Sequence, residues 1–74
     1  MEIMIKNIFC EIFEINSDDL QQNSSPNTIS NWDSFSHIKL FSLIENQFSI
    51  KFSYDEIVEL QNYYDIVEAI KKKL

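Results

Sequence analysis

The stretch NWDSFSHIKL, residues 31–40, joins a polar linker to an apolar helical pattern. Asp33 precedes apolar residues at three- and four-residue spacing, which is typical of a helix that begins with a capping carboxylate. Ser34 follows in the first helical turn, where free N–H groups and the helix dipole favour a bound phosphate. The stretch therefore has two interpretations: Asp33 and Ser34 form a helix cap alone, or Ser34 is also a site of covalent attachment.

The composition favours one small globular domain. Of the 74 residues, 45% are hydrophobic and 14% are aromatic, which is too apolar for a disordered chain. The length leaves no room for a second core, so we predict a single domain over residues 1–74. Cys10 is the only cysteine and His37 the only histidine. The sequence therefore offers neither a disulfide nor the paired ligands of a zinc site, and we expect no metal.

The charge and the N-terminal pattern limit the classes of partner. The net charge is −6, which argues against nucleic acid and favours docking onto basic protein surfaces. The first segment is interrupted by Glu2 and Lys6, unlike a secretion signal. No apolar run approaches the ~18 residues of a membrane span. We therefore expect a cytoplasmic protein without a membrane span.

Hydrophobic periodicity predicts two helices in the first two thirds of the chain, separated by a long loop. The first helix extends over residues 3–15. Its predicted inward face comprises Met4, Ile5, Ile8, Phe9, Ile12, Phe13 and Ile15. Residues 16–31 are mostly polar and form a predicted loop, with Leu20 and Ile29 as its apolar anchors. The second helix extends over residues 34–48, and its predicted inward face comprises Phe35, Ile38, Leu40, Phe41, Leu43, Ile44 and Phe48.

The last third of the chain predicts an extended segment and two more helices. Residues 49–53 have no partner strand, so we predict an extended loop. A helix of one to two turns follows over residues 54–60, with Asp55 as its candidate cap. The final helix covers residues 63–73 and has a predicted inward face of Tyr63, Ile66, Val67, Ile70 and Leu74. The predicted fold is all-α: a small four-helix bundle of three main helices and one short helix, with a long first loop.

The sequence contains no convincing catalytic arrangement. Ser34 and His37 are three residues apart, as a nucleophile and its base on one helix would be. Periodicity places His37 on the apolar inner face, where a core histidine with one satisfied ring nitrogen is commoner than a general base. The chain has no glycine and hence no glycine loop to form an oxyanion hole. We therefore expect no enzyme, and a hydrolase or transferase that uses Ser34 and His37 is a disfavoured alternative.

Over essentially its full length the chain resembles the acyl carrier proteins and the related peptidyl carrier domains. The hallmark of that family is Asp-Ser-Leu at the start of the second helix, and Asp33-Ser34-Phe35 matches it. LIENQFSIKFSYDEI, residues 43–57, resembles the family's passage from the second helix to a short third helix. LQNYYDIVEAIKKKL, residues 60–74, resembles its closing helix, with Asn62 in the position of the cap.

The resemblance implies a function. Ser34 would bear a covalent 4′-phosphopantetheine, transferred from coenzyme A by a phosphopantetheinyl transferase. Asp33 would cap the helix and help to position the transferase's metal. The thiol of this arm would hold acyl or aminoacyl intermediates as thioesters for loading and transfer enzymes of fatty-acid, polyketide or related biosynthesis. The resemblance also implies a free-standing monomer. The alternative is a carrier-like helical module that binds partner proteins and has no prosthetic group.

The resemblance further implies where partners and cargo would bind. The second helix has only Asp33 and Glu45 as acids, whereas family members usually have more. This scarcity favours a discrete acyl carrier outside core fatty-acid synthesis. The residues expected to dock partners are Phe35, Lys39, Asp55, Glu56 and Glu59. The residues expected to line a cleft for an acyl chain, or alternatively to be plain core, are Phe35, Ile38, Phe41, Ile57 and Ile66.

Three positions at which the family usually has glycine differ in this chain. They are occupied by Glu14, Asn31 and Tyr64. Asn31 tolerates left-handed backbone geometry at modest cost, whereas Glu14 and Tyr64 do so with difficulty. We therefore expect the local turns at these positions to differ from those of the family.

Overall fold

The computed structural model describes residues 1–74, and helices are its only regular secondary structure. Its elements are α1 (Glu2–Phe13), a 3₁₀ turn (Ser17–Asp19), α2 (Ser34–Phe48), α3 (Tyr54–Glu59) and α4 (Tyr63–Lys73). The predicted all-α class, helix order and long first loop are confirmed. None of the four helices combines the length and the apolar character that crossing a membrane requires.

Aromatic side chains hold the core together around Phe9. Its ring lies 5.8 Å from the ring of Phe13, 5.8 Å from that of Trp32 and 4.9 Å from that of Tyr63, measured between centroids. The buried apolar set comprises Ile5, Phe9, Phe13, Leu20, Ile29, Trp32, Leu40, Phe41, Ile44, Ile50, Phe52, Tyr63, Ile66, Val67 and Ile70. Leu20 and Ile29 are among them, so their predicted role as loop anchors is confirmed.

The long loop is tied to the ends of two helices. The side-chain amide of Asn31 donates to the carbonyl of Phe13 at the end of α1, at 2.8 Å. At the start of α4, the backbone N–H of Tyr63 donates to the carbonyl of Ser24, at 2.9 Å. Both helix ends have backbone groups without intrahelical partners, and the loop satisfies one at each end. The loop therefore holds the entry to α2 in a defined position.

Five apolar side chains predicted to face inward are instead exposed: Met4, Phe35, Ile38, Leu43 and Leu74. In α2 the buried stripe is formed by His37, Leu40, Phe41 and Ile44. At about 100° per residue, Phe35 falls nearly opposite this stripe, and Ile38 and Leu43 fall at its two flanks. The prediction treated one broad face as buried, whereas the neighbouring elements cover only a narrow stripe.

The N-cap of the short helix α3 lies two residues before the predicted cap. Ser53 caps it: the Ser53 hydroxyl accepts from the N–H of Glu56, at 3.1 Å, and the Glu56 carboxylate accepts from the N–H of Ser53, at 2.7 Å. This reciprocal pair is a capping box. The predicted cap, Asp55, lies inside the first turn, so that prediction is wrong. The expected cap of α4 is confirmed, because Asn62 accepts from the N–H of Asp65 at 2.8 Å.

Two helices end at non-glycine residues with left-handed backbone geometry. Glu14 follows α1 with φ 56°, and Ser49 follows α2 with φ 55°. In both turns the next residue donates to a carbonyl five positions back: Ile15 to Cys10 at 3.1 Å, and Ile50 to Glu45 at 3.2 Å. This hydrogen bond belongs to a helix-ending motif that usually contains glycine. The expectation that Glu14 would avoid this geometry is therefore wrong.

Replacing Glu14 by glycine should stabilise the protein by about 1 kcal/mol, because glycine adopts left-handed geometry without a Cβ clash. Glu11→Gly is the matched control. Glu11 is an exposed residue inside α1, where glycine should cost about 1 kcal/mol. Urea unfolding of both variants measures the difference. A loss of stability in Glu14→Gly equal to that in Glu11→Gly would contradict the left-handed turn.

Candidate functional site

Ser34 is the first residue of α2, and its side chain is exposed. Asp33 precedes it in extended geometry, and its Oδ1 accepts from the backbone N–H of Ser36 at 2.9 Å. The predicted cap is therefore confirmed. It satisfies one of the four N–H groups that lack partners at the start of a helix. The remaining donors and the positive end of the 15-residue helix dipole lie beside the Ser34 hydroxyl.

The capping hydrogen bond also affects the acidity of Asp33. The pKa of its carboxyl is lowered from the ordinary value of 3.8, chiefly by the hydrogen bond from the backbone N–H of Ser36. Because the folded-state pKa is below the unfolded one, ionised Asp33 stabilises the fold above the unfolded value. This stabilisation is lost as the pH falls through the folded value.

Asp33→Asn should remove that contribution to the acid dependence of stability. Asparagine is also a good capping residue, so the variant should match the wild type closely near neutral pH but lose less stability below about pH 4. Asp33→Ala is the control, because it has no acceptor and should be less stable at neutral pH as well. Urea unfolding across a pH series measures these curves. Equal acid sensitivity of the wild type and Asp33→Asn would contradict the contribution of Asp33 to the acid dependence of stability.

A groove of about 500 Å³ opens beside Ser34, between α2 and α3. Its lining consists of Pro26, Trp32, Asp33, Ser34, His37, Ile38, Tyr54, Ile57, Val58 and Gln61. Ser34 is part of the lining, so a group attached to its hydroxyl has direct access to the groove. Ile38 of α2 and Ile57 and Val58 of α3 give the groove an apolar surface, as small-molecule sites usually have.

His37 lies at the floor of this groove, and both of its ring nitrogens are hydrogen-bonded. Its Nδ1 accepts from the indole N–H of Trp32 at 2.9 Å, and its Nε2 lies 2.6 Å from the carbonyl oxygen of Ile57. An indole N–H can only donate and a carbonyl can only accept, so these partners select the neutral tautomer with the proton on Nε2. The prediction that His37 faces inward is confirmed, with both ring nitrogens satisfied rather than one. Neither nitrogen is available to activate Ser34.

The residues predicted to line the acyl cleft fall into three environments. Ile38 and Ile57 line the groove. Phe41 and Ile66 are buried in the core and are not part of the groove lining. Phe35 is 71% exposed and faces solvent. Only Ile38 and Ile57 therefore lie at this groove, Phe41 and Ile66 agree with the alternative of plain core packing, and Phe35 fits neither expectation.

The residues predicted for partner docking lie at or near the surface on both sides of the groove. On α2, the Lys39 ammonium lies 5.4 Å above the exposed ring of Phe35. On α3, Asp55 and Glu59 are exposed. Glu56 is more constrained, since it completes the capping box and pairs with Lys73 at 3.1 Å. The pKa of Glu56 is accordingly lowered, first by the backbone N–H of Ser53 and then by Lys73.

Sequence reasoning missed five residues of the groove: Pro26, Trp32, Tyr54, Val58 and Gln61. Tyr54 and Val58 have a signal in the sequence, because a spacing of four places them on one face of α3, away from the core. Tyr54 is 80% exposed, which is unusual for so large an apolar side chain. Trp32 directly precedes Asp33, so its nearness to Ser34 was also readable from the sequence.

Comparisons with known proteins support the fold and indicate the family. No family model and no curated protein matches the chain. Among solved structures, the chain is similar to the holo acyl carrier protein of Geobacter metallireducens, which was determined by solution NMR. The two are 34% identical with a TM-score of 0.83, and the match covers 95% of this chain and 80% of that one. Sequence and fold are therefore similar along nearly the whole chain.

Proposed function

The chain belongs to the acyl carrier protein family, and from this premise we propose that it carries acyl or aminoacyl groups as thioesters on a 4′-phosphopantetheine arm attached to Ser34. The observation that supports the proposal most strongly is the position of Ser34. Its exposed hydroxyl lies on the first residue of α2, directly after the capping Asp33 and at an apolar groove.

The residues around Ser34 fit such a group. The Ser34 side chain is exposed, so attachment displaces no core residue. A phosphodiester there would place its negative charge at the N-terminal end of α2, where the helix dipole and free N–H groups stabilise an anion. The Asp33 carboxylate is held by the N–H of Ser36, which fixes the first turn of the helix.

Attachment requires no catalytic neighbour on this chain. The Ser34 oxygen would form the new bond to phosphorus, adenosine bisphosphate would leave from coenzyme A, and the serine proton would pass to a base of the transferase. The transferase would also supply magnesium, with Asp33 contributing to the metal's position. When attached, the arm supplies a thiol that holds the cargo as a thioester. Both ring nitrogens of His37 are occupied by hydrogen bonds to Trp32 and Ile57. This is compatible with a base supplied by the transferase, because the chain then needs none of its own.

Partner enzymes would dock on the surfaces beside Ser34. On α2, the exposed Phe35 and Lys39 offer an apolar anchor and one positive charge. On α3, Asp55 and Glu59, with Glu56 as a more constrained third acid, would meet basic residues of loading and transfer enzymes. Glu45 is a weaker candidate, because its carboxylate accepts from the N–H of Phe52 at 2.8 Å. This charge pattern favours a discrete carrier outside core fatty-acid synthesis.

Intact-mass measurement tests the proposal. The purified protein is incubated with coenzyme A, magnesium and a phosphopantetheinyl transferase of broad specificity. We expect the mass to increase by one phosphopantetheine, and an acyl-coenzyme A donor to give the acylated form. A folded, initially unmodified protein that gains nothing would instead favour a helical interaction module without a prosthetic group.

A further inference from the structure

The floor of the groove consists of two buried aromatic side chains, Trp32 and His37. Both line the groove, yet only 3% and 7% of their surfaces are exposed. Behind them lies the aromatic core. The Trp32 ring stacks on Phe13 with a centroid distance of 4.7 Å, and the His37 ring meets Phe41 at 5.0 Å. A chain that passed from the groove into the core would have to separate Trp32 and His37.

Two hydrogen bonds hold that floor closed and join three parts of the fold. The indole N–H of Trp32, in the loop, donates to His37 of α2 at 2.9 Å. The other ring nitrogen of His37 donates to the carbonyl of Ile57 at 2.6 Å. Ile57 lies in the last turn of α3, where carbonyls lack intrahelical partners. Opening the floor would leave the indole N–H and this carbonyl unsatisfied, which is costly in a buried environment.

We propose that the Trp32–His37–Ile57 bridge is a latch that keeps cargo out of the core, so that a group carried on Ser34 lies along the groove against Ile38, Tyr54 and Val58. This inference rests on the proposed attachment at Ser34. Each methylene of the cargo that the groove shields from water raises the ratio of sheltered to exposed cargo roughly fourfold. This gain ends where the groove ends. With the core closed, the groove is the only shelter that this carrier offers its cargo. Methylenes that extend past the groove gain no further shelter.

The tryptophan resonance of the loaded protein tests where the cargo lies. Trp32 is the only tryptophan, so its indole N–H gives a single NMR signal. The protein is loaded with butyryl, octanoyl or dodecanoyl pantetheine from the corresponding coenzyme A esters. We expect length-dependent shifts at Ile38 and Val58, with the indole N–H still protected from hydrogen exchange by its bond to His37 and the core residue Ile66 unshifted. Loss of this protection together with a shift of the Ile66 signal on dodecanoyl loading would overturn the proposal.

Two variants test whether the bridge itself excludes the chain. Trp32→Phe retains an aromatic ring but lacks the N–H donor, and His37→Phe removes both hydrogen bonds. In either variant, dodecanoyl loading should shift Ile66 and raise the unfolding temperature above that of the butyryl form. Gln61→Ala is the control, because Gln61 lines the groove without contributing to the bridge. Variants that exclude the chain as the wild type does would refute the latch.

Hydrogen exchange tests the latch without any cargo, so its failure can be told apart from failure of the attachment at Ser34. The amide of Leu60 donates to the carbonyl of Glu56 at the end of α3. In the unmodified Trp32→Phe and His37→Phe proteins, this amide should exchange roughly five- to tenfold faster, the effect of one lost hydrogen bond. Exchange in α1 reports any general loss of stability and should rise less than exchange at Leu60. Unaltered exchange at Leu60 would show that the bridge does not hold α3.

Discussion

Replacing Ser34 by alanine should abolish modification by coenzyme A and a phosphopantetheinyl transferase, while the protein remains folded. The substitution removes one exposed hydroxyl from the first residue of α2 and leaves the Asp33 cap in place. The attachment proposal requires that oxygen for the bond to phosphorus. Intact-mass measurement over the course of the reaction should therefore show full conversion of the wild type and none of the variant.

Ser36→Ala is the matched control for this experiment. Ser36 lies in the same first turn, and the substitution retains the backbone N–H that binds Asp33. It should be modified like the wild type. Modification of Ser34→Ala, or loss of modification in Ser36→Ala alone, would place the attachment at another hydroxyl.

The largest effect on stability is expected for Phe41→Ala. The Phe41 side chain is 1% exposed, and its ring contacts His37 and Phe52 with centroid distances of 5.0 and 4.9 Å. Truncating a buried phenylalanine costs about 3–5 kcal/mol. A core of this size rarely supplies more than about 3–5 kcal/mol in total. The variant should therefore be largely unfolded, which circular dichroism and urea titration would reveal.

Phe35→Ala makes the same chemical change on the same helix, at a side chain that is 71% exposed. Its effect on stability should be within about 0.5 kcal/mol. It should instead weaken docking, with a higher KM for modification by the transferase. Similar destabilisation by the two substitutions would mean that the orientation of α2 is wrong.

Helix boundaries were predictable wherever a capping residue precedes an apolar periodic segment. Asp33 before α2 and Asn62 before α4 are such residues, and both helices begin where expected. Ser53 and Glu56 also have the spacing of a capping box, and that signal was overlooked. The end of α1 was not predictable for a physical reason. Glu14 adopts the left-handed backbone geometry in which glycine is the usual residue, so the sequence contains no glycine to mark this helix end.

The site was predictable only in part. Asp33 and Ser34 were identifiable from a local pattern of residue types. The bridge from His37 to Ile57 was not, because its partners are twenty positions apart and meet only through the packing of α3 against α2. The exposed position of Phe35 likewise depends on which part of α2 the other elements cover. Periodicity alone does not specify how wide the covered face of a helix is.

Locating the modification on the wild-type protein tests the central claim most directly. Trypsin cleavage after Lys6 and Lys39 gives the peptide of residues 7–39, which contains Ser34 together with the hydroxyls of Ser17, Ser24, Ser25, Thr28, Ser30 and Ser36. Fragmentation of this peptide after the transferase reaction assigns the added mass to one residue. We predict one phosphopantetheine on Ser34. Its attachment to any other residue, or no attachment to the folded protein, would contradict the proposed function.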